Sequence, residues 1–172
     1  MKKFTAWDFV YGVNLAIACG ISYAVITQAL VRFVARPDDL LAGMWAAVAT
    51  VFVFRDSRAN SLSAGFDRLL ATCVSFALCL AYLLIFPFTP VGMAVVVGLG
   101  TVIMALLNRR NDIVITGITS VVVLVVAGLD PDNAWRQPIL RLFDTAVGIA
   151  IGVACKWVGS FVFYRAIGEP AR

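Results

Sequence analysis

The chain has 172 residues, of which 62% are hydrophobic and 14% are charged, and its formal net charge is +4. A soluble domain has about 25% charged residues, so this composition excludes an ordinary soluble protein and indicates an integral membrane protein. The sequence contains no histidine and no C-x-x-C pair, and we therefore expect no metal, disulfide or other cofactor. The cations form no basic stripe, so we expect no nucleic-acid partner.

Six apolar segments are candidate membrane-spanning helices. A span requires about 20 apolar residues, and the uncharged run at 69–108 is interrupted by a proline-containing turn, so it divides into two helices. The predicted spans are residues 9–34, 39–54, 67–86, 90–107, 112–129 and 138–163. The second span is short, because its uncharged part covers only about 22 Å at the rise of an α-helix. We predict one all-α membrane domain over residues 1–172.

The segments between the spans predict the orientation of the chain. Residues 55–66 are typical of an interfacial helix or a turn, and residues 108–112 of a tight hairpin in which Asn111 or Asp112 caps the next helix. With the N-terminus inside, nine lysines and arginines lie at the inner ends of the spans and four at the outer ends. This positive-inside bias and the even number of spans predict that both termini are cytoplasmic.

The strongest internal pattern is a stripe of residues that occurs twice, with steps of 4, 3 and 4 residues and a period of 73 residues. The first stripe is Arg68, Thr72, Ser75 and Cys79, and the second is Arg141, Thr145, Gly148 and Gly152. These steps hold each stripe within about 60° on one helical face. Because three spans fit in one period, the second copy enters the membrane from the opposite side. We therefore predict two inverted three-helix repeats, residues 9–86 and 90–163, which is a common plan of secondary transporters.

The polar residues of the stripes predict a route for an organic anion. Arg68 and Arg141 would stand at opposite mouths of this route, with Thr72 and Thr145 one turn deeper, and Lys156 extends the second stripe towards the inner surface. The alternative interpretation is that the cations extend along their helices to the membrane surface. The residues alone leave both interpretations open.

The small residues of the stripes have a simpler interpretation as helix-packing positions. Ser75, Cys79, Gly148 and Gly152 allow two helices to approach closely. Thr116, Thr119 and Ser120 cluster on the fifth predicted helix, where we expect interhelical hydrogen bonds.

Asp144 is the only carboxylate placed within a predicted span rather than at its edge. It is the candidate for carrying a proton, and the alternative is that it simply pairs with Arg141 three residues earlier. The chain has no histidine, no paired acids in the membrane, no phosphate-binding loop and no nucleophile motif. We therefore predict that the protein is not an enzyme.

Four segments resemble the FUSC family, the fusaric acid resistance and aromatic acid exporter group. They are MWAAVATVFVF at 44–54, RLLAT at 68–72, LNRRN at 107–111 and RLFDTAVG at 141–148. The paired Arg-x-x-x-Thr motif is the most specific of them. The resemblance implies a bacterial inner-membrane protein that exports aromatic carboxylic acids, with Arg68 and Arg141 as candidate anion-binding residues. It also implies a fold similar to the membrane part of plant aluminium-activated malate transporters, which are dimers.

Two features depart from the family pattern. The first motif has Ala71 where the family commonly has glycine, and this sequence lacks the second membrane set or large cytoplasmic domain of typical bacterial members. We therefore expect a single set of six helices to assemble as a homodimer.

The prediction that follows is a homodimeric inner-membrane exporter of aromatic or related carboxylates. Its expected partners are the organic anion and membrane lipid, and a periplasmic adaptor is left open. Two alternatives also remain: a passive anion channel of the same fold, and a membrane scaffold or accessory subunit that transports nothing.

Overall fold

The computed structural model describes residues 6–30, 36–54 and 58–167, and these residues form helices joined by short turns, with no β-strand among them. The α-helices are α1 (Ala6–Leu30), α2 (Arg36–Val53), α3 (Arg58–Ile85), α4 (Pro90–Leu106), α5 (Ile113–Leu129) and α6 (Arg136–Ile167). One-turn 3-10 helices at Arg110–Asp112 and Pro131–Asn133 lie in the connections before α5 and α6. The prediction of an all-α fold is confirmed.

Among the described residues, four helices are long and apolar enough to cross a membrane. Their candidate spans are Asp8–Gln28, Asn60–Ile85, Arg110–Leu129 and Arg136–Phe161. The apolar parts of the other two helices, Leu40–Val53 and Pro90–Leu106, are shorter. The complete α2 and α4 have 18 and 17 residues, or about 25 Å each, which is slightly less than the thickness of the hydrocarbon core. The helices indicate a multi-pass membrane protein, and the count of six spans stays a prediction.

The start of α3 differs from the predicted boundary. The segment between the second and third spans was expected to be an interfacial helix or a turn up to residue 66, yet from Arg58 it is continuous with α3. Residues 58–66 contain no proline, so nothing in the backbone prevents the helix from extending past its apolar part. Residues 55–57 lie outside the described part of the chain.

The helices pack as two compact units. The first unit contains α1, α2, α3 up to Gly65 and α6 from Ala146. The second unit contains α3 from Phe66, α4, α5 and α6 up to Thr145. Arg68, Thr72, Arg141 and Thr145 therefore all belong to the second unit, and Lys156 belongs to the first.

In the first unit, two glycines allow α6 to pack closely on α2. A Cβ atom at Gly148 would collide with the main-chain carbonyl of Ala46, and one at Gly152 would lie 3.3 Å from the Cα atom of Thr50. The Thr50 hydroxyl lies 3.0 Å from the carbonyl oxygen of Gly148 and 3.0 Å from that of Ala46. Small residues at such a crossing let two backbones approach until a side chain reaches the main chain of its neighbour.

In the second unit, hydroxyl groups connect α3 to α5. Ser75 donates to the carbonyl oxygen of Thr116 at 2.9 Å, and Ser120 donates to the Ser75 hydroxyl oxygen at 3.1 Å. The Cys79 thiol lies 3.8 Å from the Ser120 carbonyl oxygen. The hydroxyl of Thr119 instead bonds within α5, to the Ile115 carbonyl. Ser120 thus forms the expected interhelical bond through its side chain, and Thr116 forms one through its main chain.

Candidate functional site

Both stripes lie on buried faces of their helices. All four residues of the first stripe are buried on α3, and on α6 the buried face runs from Arg141 to Lys156. Arg68 is 3% exposed and Arg141 is 6% exposed, so neither guanidinium reaches the surface of the protein. A charged side chain in a membrane helix is costly when it faces lipid, and normally faces protein or a water-filled cavity.

Arg68, Arg141 and Asp144 form a buried group of charges, here called the arginine cluster. Nη1 of Arg141 donates to Oδ2 of Asp144 at 3.2 Å, one helical turn along α6. Arg141 also interacts electrostatically with Arg68. The two guanidinium groups therefore lie within electrostatic range of each other. That they stand at opposite mouths of a route stays a prediction.

The Asp144 carboxylate is held by one of its two oxygens. Oδ2 accepts from Arg141, whereas Oδ1 is buried and has no hydrogen-bond partner among the described residues. A buried carboxylate is stable as an anion only while it is paired and hydrogen-bonded. Asp144 is therefore a group whose charge depends on Arg141.

Thr72 and Thr145, the threonines of the two stripes, are both buried. Each follows an arginine of the cluster by four residues in the sequence. Thr72 donates its hydroxyl hydrogen to the Arg68 carbonyl oxygen at 2.9 Å, one turn back on α3. An anion needs a donor, so the Thr72 hydroxyl must rotate before it can bind one. Thr145 directly follows Asp144 on α6 and is 1% exposed.

Lys156 lies in the first unit, against a pair of aromatic rings. Its Nζ atom is 5.0 Å from the ring centroid of Tyr11 and 5.1 Å from that of Phe54. The Tyr11 hydroxyl donates to the Phe54 carbonyl oxygen at 2.9 Å, and the two rings meet edge to face. Both distances lie within the range of a cation–π contact. The Lys156 side chain is buried against these rings rather than extended into water.

The connection between α4 and α5 is a rigid hairpin. Asn108 adopts φ 58°, a left-handed conformation that asparagine tolerates better than most residues. The amide of Asn108 then bonds to the Ala105 carbonyl at 3.1 Å, and the amide of Arg109 bonds to the Met104 carbonyl at 2.9 Å. These two bonds form the Schellman motif that ends many helices. Asp112 occupies the N-cap position of α5, but its side chain makes no cap hydrogen bond.

The hairpin presents Arg109 to α3. Arg109 forms an ion pair with Asp67 and lies 3.8 Å from Oδ2 of Asp112, and its guanidinium is 5.8 Å from the ring centroid of Phe66. These charges border a polar cavity of about 290 Å³. In the sequence, Arg109 is marked only as part of the LNRRN motif, and nothing there predicts a contact for it. Asp67 is 42 residues away in the sequence, and no local spacing relates the two residues.

These features define a multi-pass helical membrane protein with charged side chains buried in its helices. The chain matches the family of fusaric acid resistance protein-like proteins over residues 24–155, which is well over half of its length. It belongs to this family, which implies a membrane transport function related to efflux. Comparison with curated proteins and with solved structures gives no significant match.

Proposed function

We propose that the protein transports organic anions across the bacterial inner membrane, and that it exports aromatic or related carboxylic acids. The observation that carries this proposal is the burial of Arg68 and Arg141 in apolar helices, where the two arginines interact electrostatically. Ionisable residues at such depth mark substrate or ion pathways. A guanidinium also binds a carboxylate through two parallel hydrogen bonds, which the ammonium of lysine cannot reproduce.

The remaining predicted residues have subordinate roles in this proposal. Thr72 and Thr145 contribute hydroxyl groups next to the arginines, and Lys156 provides a further cation along α6. Asp144 exchanges a proton as its pairing with Arg141 changes, because a buried carboxylate without its cation is more stable as the neutral acid.

We also propose that the protein functions as a homodimer with both termini in the cytoplasm. The small residues of the two stripes pack within one chain, since Gly148 and Gly152 contact α2 and Ser75 contacts α5. A subunit interface must therefore use other helix faces. The mass of the detergent-solubilised protein tests this proposal, and a stable monomer with full transport activity would contradict it.

The proposed function is tested by flux of labelled benzoate through liposomes that contain the purified protein. Removing one charged donor to a carboxylate costs about 1.5–3 kcal/mol, so Arg68→Gln and Arg141→Gln should each reduce kcat/KM about 10- to 100-fold. The corresponding lysine variants should restore part of the flux. Arg136→Gln is the matched control, because Arg136 lies on the same helix and is exposed.

Three outcomes separate this proposal from its alternatives. Flux that responds to a pH gradient, and loses that response in Asp144→Asn, supports a coupled transporter. Flux that ignores the gradient indicates a passive anion channel. If the wild-type protein gives no flux of any carboxylate tested, the transport proposal fails and a scaffold remains. If both glutamine variants transport at the wild-type rate, the arginines do not bind the substrate.

A further inference from the structure

The segment of α3 that carries Arg68 and Thr72 is held at both of its ends. At one end Asp67 forms the ion pair with Arg109 of the hairpin. At the other end Ser75 donates to the Thr116 carbonyl oxygen of α5 at 2.9 Å. The two contacts are eight residues apart on α3, or about 12 Å, and the candidate anion-binding residues of this helix lie between them.

Both contacts are made by the same part of the chain, the hairpin between α4 and α5 and the start of α5. Arg109 is placed by the left-handed Asn108, and Thr116 is connected to the same hairpin because its hydroxyl donates to the Asp112 carbonyl oxygen at 3.0 Å. A Cβ atom added at Gly100 on α4 would contact the Thr116 side chain at 3.3 Å, so α4 and α5 also pack closely here. The hairpin and the start of α5 therefore form one packed element, which contacts α3 at Asp67 and at Ser75.

The two contacts differ in how easily they are broken. The Ser75–Thr116 bond is buried, whereas the side chains of Arg109 and Asp67 are 36% and 33% exposed. Water and ions reach the ion pair but not the hydroxyl bond. Of the two contacts, the ion pair is therefore the one that solvent can weaken.

We propose that the Arg109–Asp67 ion pair is a latch that fixes the position of Arg68 and so sets the affinity of the arginine cluster for its anion. Asp67 directly precedes Arg68, so a rotation or shift of α3 at Asp67 moves the Arg68 backbone by nearly the same amount. Arg109 is in this sense a positioning residue. The effect on transport rests on the proposed function, whereas the latch itself does not.

The transport test measures KM and maximal rate for labelled benzoate in liposomes. Arg109→Gln and Asp67→Asn should each raise KM about two- to fivefold, the size of effect of a partly exposed ion pair, with little change in maximal rate. Arg110→Gln is the matched control, because Arg110 is the next residue and is exposed. The charge swap Asp67→Arg with Arg109→Asp should restore most of the affinity when Asp112→Asn removes the second carboxylate that lies near residue 109. In an Arg68→Gln background, Arg109→Gln should cause no further rise in KM.

A second measurement tests the latch without transport. A single cysteine is introduced by Thr72→Cys after the four native cysteines are replaced by alanine, and its rate of modification by a charged thiol reagent is followed. Arg109→Gln should increase this rate severalfold, and the charge swap should reverse the increase. An unchanged modification rate overturns the latch, whether or not the protein transports benzoate. If modification is faster but KM is unchanged, the latch exists and does not set the affinity of Arg68 for the anion. If the wild-type protein gives no flux, only the proposed transport is refuted.

Discussion

The hydroxyl oxygen of Thr50 lies 3.0 Å from the main-chain carbonyl oxygen of Gly148, a contact between residues 98 positions apart. It shows how closely α2 and α6 approach in the first unit. Because Gly148 has no side chain, α2 approaches α6 closely enough for the threonine hydroxyl to reach the main-chain carbonyl.

We predict that Gly148→Ala destabilises the protein by about 1–3 kcal/mol, the usual cost of overpacking a close contact. The new methyl group would collide with the Ala46 carbonyl, so α2 and α6 would have to separate. Unfolding in mixed micelles, followed by circular dichroism, measures the change. Gly20→Ala is the control, because no atom lies within 4 Å of a Cβ built there. Equal stability of the two variants would contradict the close packing of α2 on α6.

We predict that Phe54 and Lys156 are energetically coupled. Phe54→Leu removes one of the two rings that face the ammonium, and a cation–π contact away from water contributes about 1–2 kcal/mol. A double-mutant cycle with Lys156→Met isolates this coupling from the loss of packing. The exposed Phe161 supplies the control variant Phe161→Leu. A coupling energy near zero would mean that Lys156 gains nothing from the rings.

We predict that a reporter enzyme active only outside the inner membrane gives no signal when it is fused to the C-terminus. The basis is the distribution of lysine and arginine, together with an even number of spans. A second fusion in the connection after α5, near Asp132, should give a strong signal at matched expression. A strong signal from the C-terminal fusion would remove the argument for inverted repeats.

The predicted helix boundaries agree with the structure where a change in hydropathy marks the end of the helix. The predicted fourth span begins at residue 90 and α4 begins at Pro90, after the proline-containing turn. The structure adds that Thr89 accepts a hydrogen bond from the Gly92 amide at 3.1 Å. The start of α3 was missed because Arg58, Asn60, Ser61 and Ser63 interrupt the apolar pattern. Polar residues indicate where a helix leaves the hydrocarbon core of the membrane. They do not indicate where the backbone hydrogen bonds of the helix end.

The sequence by itself determined the membrane class, the family, the helices and the face of α3 and α6 that is buried, because these depend on composition and on a period of 3.6 residues. Only the tertiary structure decided that Arg68 and Arg141 interact and that Arg109 reaches Asp67. Helix periodicity specifies which side of a helix a residue occupies. The depth of one helix against another depends on close contacts such as Gly148 on Ala46, and the direction of Arg109 depends on the left-handed backbone of Asn108.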